Sequence, residues 1–289
     1  MTKFRPCLFA AAAWLLLPFA TAPLGAQPAI LAVEKPMATN VPTGSSFFDW
    51  DSLVSRKTPV GIYRGVVDAP TAQFARFEMH VTTLNPGFES HPLHHHPQEE
   101  LIIVTKGRVQ ANINGQAKTV GPGSLLFFAA HDPHNAKNNG PDPTTYYVIN
   151  FYTAATASVR DQPAHEWEAP ELLHSAAIDW NELTPKRTAS DTRRYFVDSP
   201  TVTFKKLEIH ATTVAPGAPA STPHRHLWPM LIVVKEGAIQ ATIDGVAHVA
   251  GEGSIIYMAA NALQSMHNLG SVPATYFVVS ISSEQTPAG

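Results

Sequence analysis

The chain has 289 residues, 44% of them hydrophobic, with a formal net charge of -3, so it can bury a substantial core and is not a disordered segment. Charged residues amount to 15%, well below the roughly 25% of an average soluble domain, and the balance excludes the basic footprint of a nucleic-acid binder. Fourteen histidines are the compositional anomaly.

At the start of the chain, Lys3 and Arg5 precede an apolar run that small residues close near Ala26. This is the layout of a secretory signal peptide over residues 1–26. Pro18 interrupts the run, which also falls short of the roughly 20 residues a membrane span needs. Cys7, the one cysteine, leaves with this segment. The mature chain is then expected to be exported, periplasmic or extracellular, with no membrane association and no disulfide or thiolate chemistry.

Beyond the leader the chain matches itself at an offset of 130 residues, a repeat that has to be recognised before elements are assigned. Asp49, Trp50 and Leu53 recur as Asp179, Trp180 and Leu183. FEMHVTTLNPG from Phe77 recurs as LEIHATTVAPG from Leu207, and GPGSLLFFAA from Gly121 as GEGSIIYMAA from Gly251. Two copies of one domain follow, over residues 45–153 and 177–283, with 154–176 as the connector.

Each copy reads as strand after strand. Phe74 to Thr83 alternates apolar and polar, Leu101 to Val104 is a short buried run, and Arg108 to Ile113 alternates again. Asn114-Gly115 and Asp244-Gly245 sit between two such runs, and both pairs tolerate the positive φ of a type I′ hairpin. Short strands joined by turns predict an all-β chain of two tandem barrels. Phe127, Phe128, Tyr257 and Met258 are expected in the core, Trp50 and Trp180 in a repeated structural contact, and His80 and His210 as partly buried structural residues.

The chemistry concentrates in HPLHHHPQEELIIVTKG of the first copy and in HDPHNAKN downstream. In an extended backbone His94, His96 and Glu100 share one face, while His95 and Glu99 share the other. Two imidazoles and a carboxylate on one face, joined by a histidine from a neighbouring strand, suit one divalent transition metal: Mn, Fe, Ni, Cu or Zn. His91 and His95 are expected at the surface, His131 near the mouth as a possible substrate contact, and Glu99 is not nominated as a base. No Gly-x-Ser-x-Gly elbow occurs, and Gly121-Pro122-Gly123 lacks the lysine and helix of a phosphate loop.

These residues carry a resemblance: the chain looks like a bicupin, a tandem of two double-stranded β-helix jelly rolls of the cupin superfamily. The first family motif is represented by Gly87, His94, His96, Glu100 and Gly107, with a spacer one residue longer than usual. The second is represented by Gly123, His134 and Asn138, with Ala129 and His131 in place of the motif's proline and glycine. The resemblance implies metal ligands His94, His96, Glu100 and His134. In the second copy His224 and His226 remain, but Met230 replaces Glu100 and Gln264 replaces His134. That barrel is expected to be degenerate, a packing domain or a weak site of His224, His226 and Gln264.

The function implied is a metal-dependent enzyme acting on a small oxygenated organic molecule. Dioxygenase chemistry leads, because the donor set leaves adjacent positions open for substrate and dioxygen, as in the cupin dioxygenases that the chain resembles. The alternatives are a redox-neutral cupin enzyme, such as a decarboxylase, an isomerase or a ureidoglycine-aminohydrolase-like enzyme, or a non-catalytic cupin that binds a sugar or organic acid. The expected partner is a small molecule, with homodimer formation open.

Overall fold

The computed structural model describes residues 44–286; the expected signal peptide and Cys7 lie outside them. Every regular element among the described residues is a β-strand or a single turn of 3-10 helix. No helix there is long and apolar enough to cross a membrane.

Each half builds one sheet of seven strands and one smaller sheet. In the first half the large sheet runs, in spatial order, Ala176–Ile178, Leu125–Phe128, Glu99–Lys106, Thr144–Tyr152, Arg76–Leu84, Gly61–Ala69 and Ser55–Thr58. The small sheet runs Gln116–Val120, Val109–Ile113 and His134–Lys137. The second half repeats the plan, with Pro219–His224 as an extra strand of the small sheet. The chain is therefore all-β, two jelly-roll barrels in tandem. The expected hairpins form with the backbone the residues allow: Asn114 and Gly115 have φ of 49° and 79°, Asp244 and Gly245 of 48° and 86°.

Strand Glu99–Lys106 shows why the run Leu101 to Val104 is apolar on both parities. Ile102 and Val104 join the interior of the first barrel with Phe128, Tyr146 and Val148. Leu101 and Ile103 face the opposite way and join Phe77, Tyr147 and Phe127 in a core shared with Leu231, Tyr257, Phe277 and Val279 of the second half. The two large sheets thus pack against each other, so both faces of their central strands are withdrawn from water. Phe127 and Tyr257 fall in the shared core, Phe128 and Met258 in the barrel interiors.

The sheets also exchange edge strands. Ser46–Phe48, which begins the first sequence copy, pairs antiparallel with Ile255–Met258 of the second barrel. Ala176–Ile178, at the end of the connector, pairs with Leu125–Phe128 of the first. The repeat boundaries mark equivalent sequence; the strand that opens each copy completes the other barrel. The tryptophans fasten this exchange. Trp50 N–H donates to Ser254 Oγ at 3.1 Å and Trp180 N–H to Ser124 Oγ at 3.0 Å. Their rings cover Gly253 and Gly123, where an added Cβ would lie 2.8 Å and 2.7 Å from indole carbon. Both glycines also hold positive φ, 86° and 89°, so glycine is required there twice over.

Candidate metal centre in the first barrel

The strand parity read from the sequence holds for Glu99 and Glu100, while His94 and His96 arrive from the loop before the strand, which bends at Pro97 and Gln98. Glu100 lies inside the first barrel, and a cavity of about 260 Å³ is lined by Glu100, His94, His96 and His134 together with His80, Ser90, Asn135, Tyr146 and Asn150. The ring nitrogens of His94, His96 and His134 approach within 4.8 Å of one another. Glu100 Oε2 is 3.6 Å from His96 Nε2. The structure brings all four expected residues to one place.

Backbone geometry delivers them there. His94 N–H donates to the His134 carbonyl at 3.2 Å, and His134 N–H to the His94 carbonyl at 2.9 Å, an isolated antiparallel bridge. It sets the HPLHHH loop against the strand His134–Lys137. His134 then stacks on Phe128, with ring centroids 4.1 Å apart and planes at 12°. Asn138, the motif asparagine, is a structural fastening: its Nδ2 donates to the Leu84 and Asp142 carbonyls, and its Oδ1 accepts from Gly140 N–H.

Each imidazole is tied back through Nδ1 to a carbonyl two residues away. The distances are 3.1 Å from His94 to Pro92, 2.8 Å from His96 to Gln98 and 2.7 Å from His134 to Asp132. A carbonyl accepts, so each Nδ1 carries the proton and each Nε2 presents a lone pair. This is the outer-shell arrangement that orients metal-binding histidines. His134 Nε2 is buried without a hydrogen-bond partner, as expected of an atom waiting for a cation. The donor set therefore fits a divalent ion: three neutral nitrogens and one acid.

The electrostatics agree with that reading. Burial pushes the Glu100 carboxyl up, but His96 and the positive potential of His134 outweigh it and hold the group at about 2. Burial drives His134 down to about 4 against the opposing charge of Glu100, and also lowers His94. Burial acts the same way on His96, but contact with Glu100 reverses the sign and raises it. A carboxylate that stays ionised beside two imidazoles that resist protonation, His94 and His134, and a third, His96, that it contacts directly suits a cation at neutral pH.

Other expected residues fall elsewhere. Glu99, on the opposite parity, is buried in the contact with the second half. It accepts from Thr201 Oγ1 at 2.6 Å, Val202 N at 3.0 Å, Thr203 N at 3.3 Å and Thr203 Oγ1 at 2.6 Å. His131, expected near the mouth as a substrate contact, is not in the cavity wall. Its Nδ1 lies 3.2 Å from His95 Nδ1 and 3.4 Å from Asp161, and at φ 58° it holds the left-handed backbone of the glycine it replaces. His91 is exposed yet forms part of the cavity lip.

Sequence reasoning missed the group behind His80. Its Nδ1 donates to Glu78 Oε1 at 2.8 Å, and Glu78 Oε2 accepts from Asn150 Nδ2 at 2.9 Å. The recurrence of Glu-x-His at Glu78 and His80, and at Glu208 and His210, was the available signal. In the second barrel, His224 and His226 face each other with Nε2 atoms 3.0 Å apart, and Gln264 lines the same cavity.

Comparison with known proteins places this geometry. The cupin domain family, Cupin_2, matches residues 80–150 and 210–280. No curated protein sequence matches the chain. Among solved structures, a serine-to-alanine variant of Bacillus subtilis oxalate decarboxylase superposes with a TM-score of 0.61 at 15% identity, covering 85% of this chain and 79% of that one. A structure of the same enzyme concerned with its Mn(II) centres gives 0.62 at 15% identity, with 85% and 79% covered. A tryptophan-to-tyrosine variant gives 0.62 at 14%, with 84% and 79% covered. At such identity the likeness speaks for the fold, and it agrees with the doubled family match and with both sequence motifs. The chain is a bicupin, a member of the cupin superfamily with two cupin domains.

Proposed function

We propose that the first barrel is a metal-dependent catalytic centre that removes CO2 from a small oxygenated carboxylic acid, with His94, His96, Glu100 and His134 holding one divalent ion. The observation that carries this reading is the set of three Nδ1 tie-backs, which leave three Nε2 lone pairs converging beside an ionised carboxylate. When bound, the ion would act as a Lewis acid on a substrate oxygen.

The chain's own residues account for the rest. A cavity of about 260 Å³ is smaller than the roughly 300–1,000 Å³ of sites for drug-sized ligands, so it suits an acid of few heavy atoms. Ile102, Phe128 and Val148 give it apolar walls that exclude water from the reacting carbon. Loss of CO2 leaves an electron pair on carbon that must take up one proton. In this reading the imidazolium form of His80, its Nδ1–H held by Glu78, delivers its Nε2 proton and is reprotonated from solvent. The structural neighbours named above are oxalate decarboxylases, which supports decarboxylation over the dioxygenase expectation. Oxygenase chemistry is the second reading, supported by a donor set of three imidazoles that suits redox-active ions. The proposal includes export, with residues 1–26 removed.

The test is elemental analysis of the purified protein and of His96→Ala, followed by assays of CO2 release and O2 uptake over a series of two- to four-carbon acids. One divalent ion per chain, lost in His96→Ala, with CO2 released and no O2 consumed, is the expected outcome. Stoichiometric O2 uptake selects the oxygenase reading. Full metal content in His96→Ala removes the proposal.

A further inference from the structure

The second barrel has lost the acid of the first but kept its chamber. A cavity of about 220 Å³ compares with about 260 Å³ in the first barrel. A site that had simply decayed into a packing domain would be expected to fill, because voids in a core are costly. His224 Nδ1 donates to the Thr222 carbonyl at 2.6 Å, the same tie-back as at His94, and its Nε2 lies 3.0 Å from His226 Nε2.

What replaces the acid is sulfur. Met230, at the position of Glu100, pairs across the sheet with Met258 and Ser280. Met230, Met258 and Met266 are all buried, and all line this cavity with the two histidines. Gln264, at the position of His134, is 4% exposed, and its buried Oε1 has no hydrogen-bond partner among the described residues. A divalent ion here would meet no carboxylate among the residues that replace the first barrel's ligands. The one carboxylate in the wall, Glu208, stands beside His210 at 3.3 Å, and Arg193 in the same wall is paired with Asp191 at 3.1 Å. Imidazole and thioether form a neutral, soft donor set, which discriminates against hard dications and favours Cu(I). A single positive charge also costs less to desolvate in a methionine-lined cavity than a double one.

We infer that the second barrel is a Cu(I) site, with His224, His226 and Met230 as its donors, and that the chain carries two centres of opposite metal preference. The experiment uses the complete chain and His96→Ala, in which the first centre is disabled, so its outcome is independent of the first-barrel proposal. Both are titrated anaerobically with Cu(I) against a colorimetric Cu(I) chelator, and with Ag(I) as a redox-inert probe. In His96→Ala one Cu(I) is expected to bind in competition with the chelator and to resist displacement by equimolar Zn(II) or Mn(II). Met230→Leu, a swap of similar volume that cores tolerate, should weaken binding by roughly tenfold or more, as should His226→Ala. Copper-edge X-ray absorption of the loaded, unsubstituted protein should show a sulfur neighbour, a readout that does not depend on any variant folding. Failure of His96→Ala to take Cu(I) from the chelator, unchanged affinity in Met230→Leu, or absorption with nitrogen and oxygen neighbours alone would each overturn the inference.

Discussion

Glu99 and Glu100 are adjacent in sequence, and substituting each should have opposite consequences. In Glu99→Ala four hydrogen bonds lose their acceptor. The two threonine hydroxyls can rotate to other partners, and Thr203 N–H retains Thr201 Oγ1 at 3.3 Å, so Val202 N–H is the one donor orphaned outright. An orphaned buried donor costs about 1–3 kcal/mol. The vacated carboxymethyl space adds about 1–2 kcal/mol by the cavity term, while relief of carboxylate desolvation returns part of the sum. The expected net loss is about 3 kcal/mol, which in a chain of this size lowers Tm by about 6–12 °C. Metal content should not change, because Glu99 faces the second barrel. The assay pairs urea unfolding with elemental analysis of the folded fraction. A stable Glu99→Ala protein depleted of metal would refute the parity argument on which the site rests.

Glu100→Gln keeps the shape and removes the charge, so metal affinity should fall by roughly tenfold or more; equilibrium dialysis against the divalent ion checks it. For metal-free protein, His134 is held at about 4, below the ordinary value near 6.5. The unfolded chain therefore takes up the proton first, and stability present above pH 6.5 is lost as pH falls toward 4, by up to about 3 kcal/mol. Urea midpoints measured in chelator from pH 8 to 4 should show this slope, and saturating metal should flatten it until protons displace the ion; a flat metal-free profile counts against the burial of His134. Gly123→Ala forces a Cβ to within 2.7 Å of the Trp180 ring at φ 89° and should cost about 2–4 kcal/mol. Gly115→Ala, with nothing within 4 Å of its Cβ, should cost about 1–2 kcal/mol. Equal losses in thermal unfolding would contradict the role given to the tryptophan cover.

Period-two alternation made much of the site legible in the chain. Glu99 and Glu100 take opposite faces because strand Glu99–Lys106 is extended, and that local inference agrees with the structure. His94 and His96 reach the cavity by a different route, from a loop that bends at Pro97 and Gln98. Asn114-Gly115 and Asp244-Gly245 were legible as turns because their conformational preference belongs to the residues themselves. His131 was not: its place in the motif identifies it as the replacement for a glycine, but whether its ring reaches the cavity depends on His95 and Asp161, which are distant in sequence.

From sequence alone came the doubled domain, the all-β architecture and the group of imidazoles with an acid, since repeats and alternation are properties of neighbouring residues. Tertiary structure decided which barrel each opening strand completes, what Glu99 holds, and that the His94 loop meets the strand carrying His134. It also decided that the methionines of the second half surround an open chamber. Those outcomes depend on which strand edges and sheet faces meet, and that is set by burial of apolar surface between segments far apart in the chain.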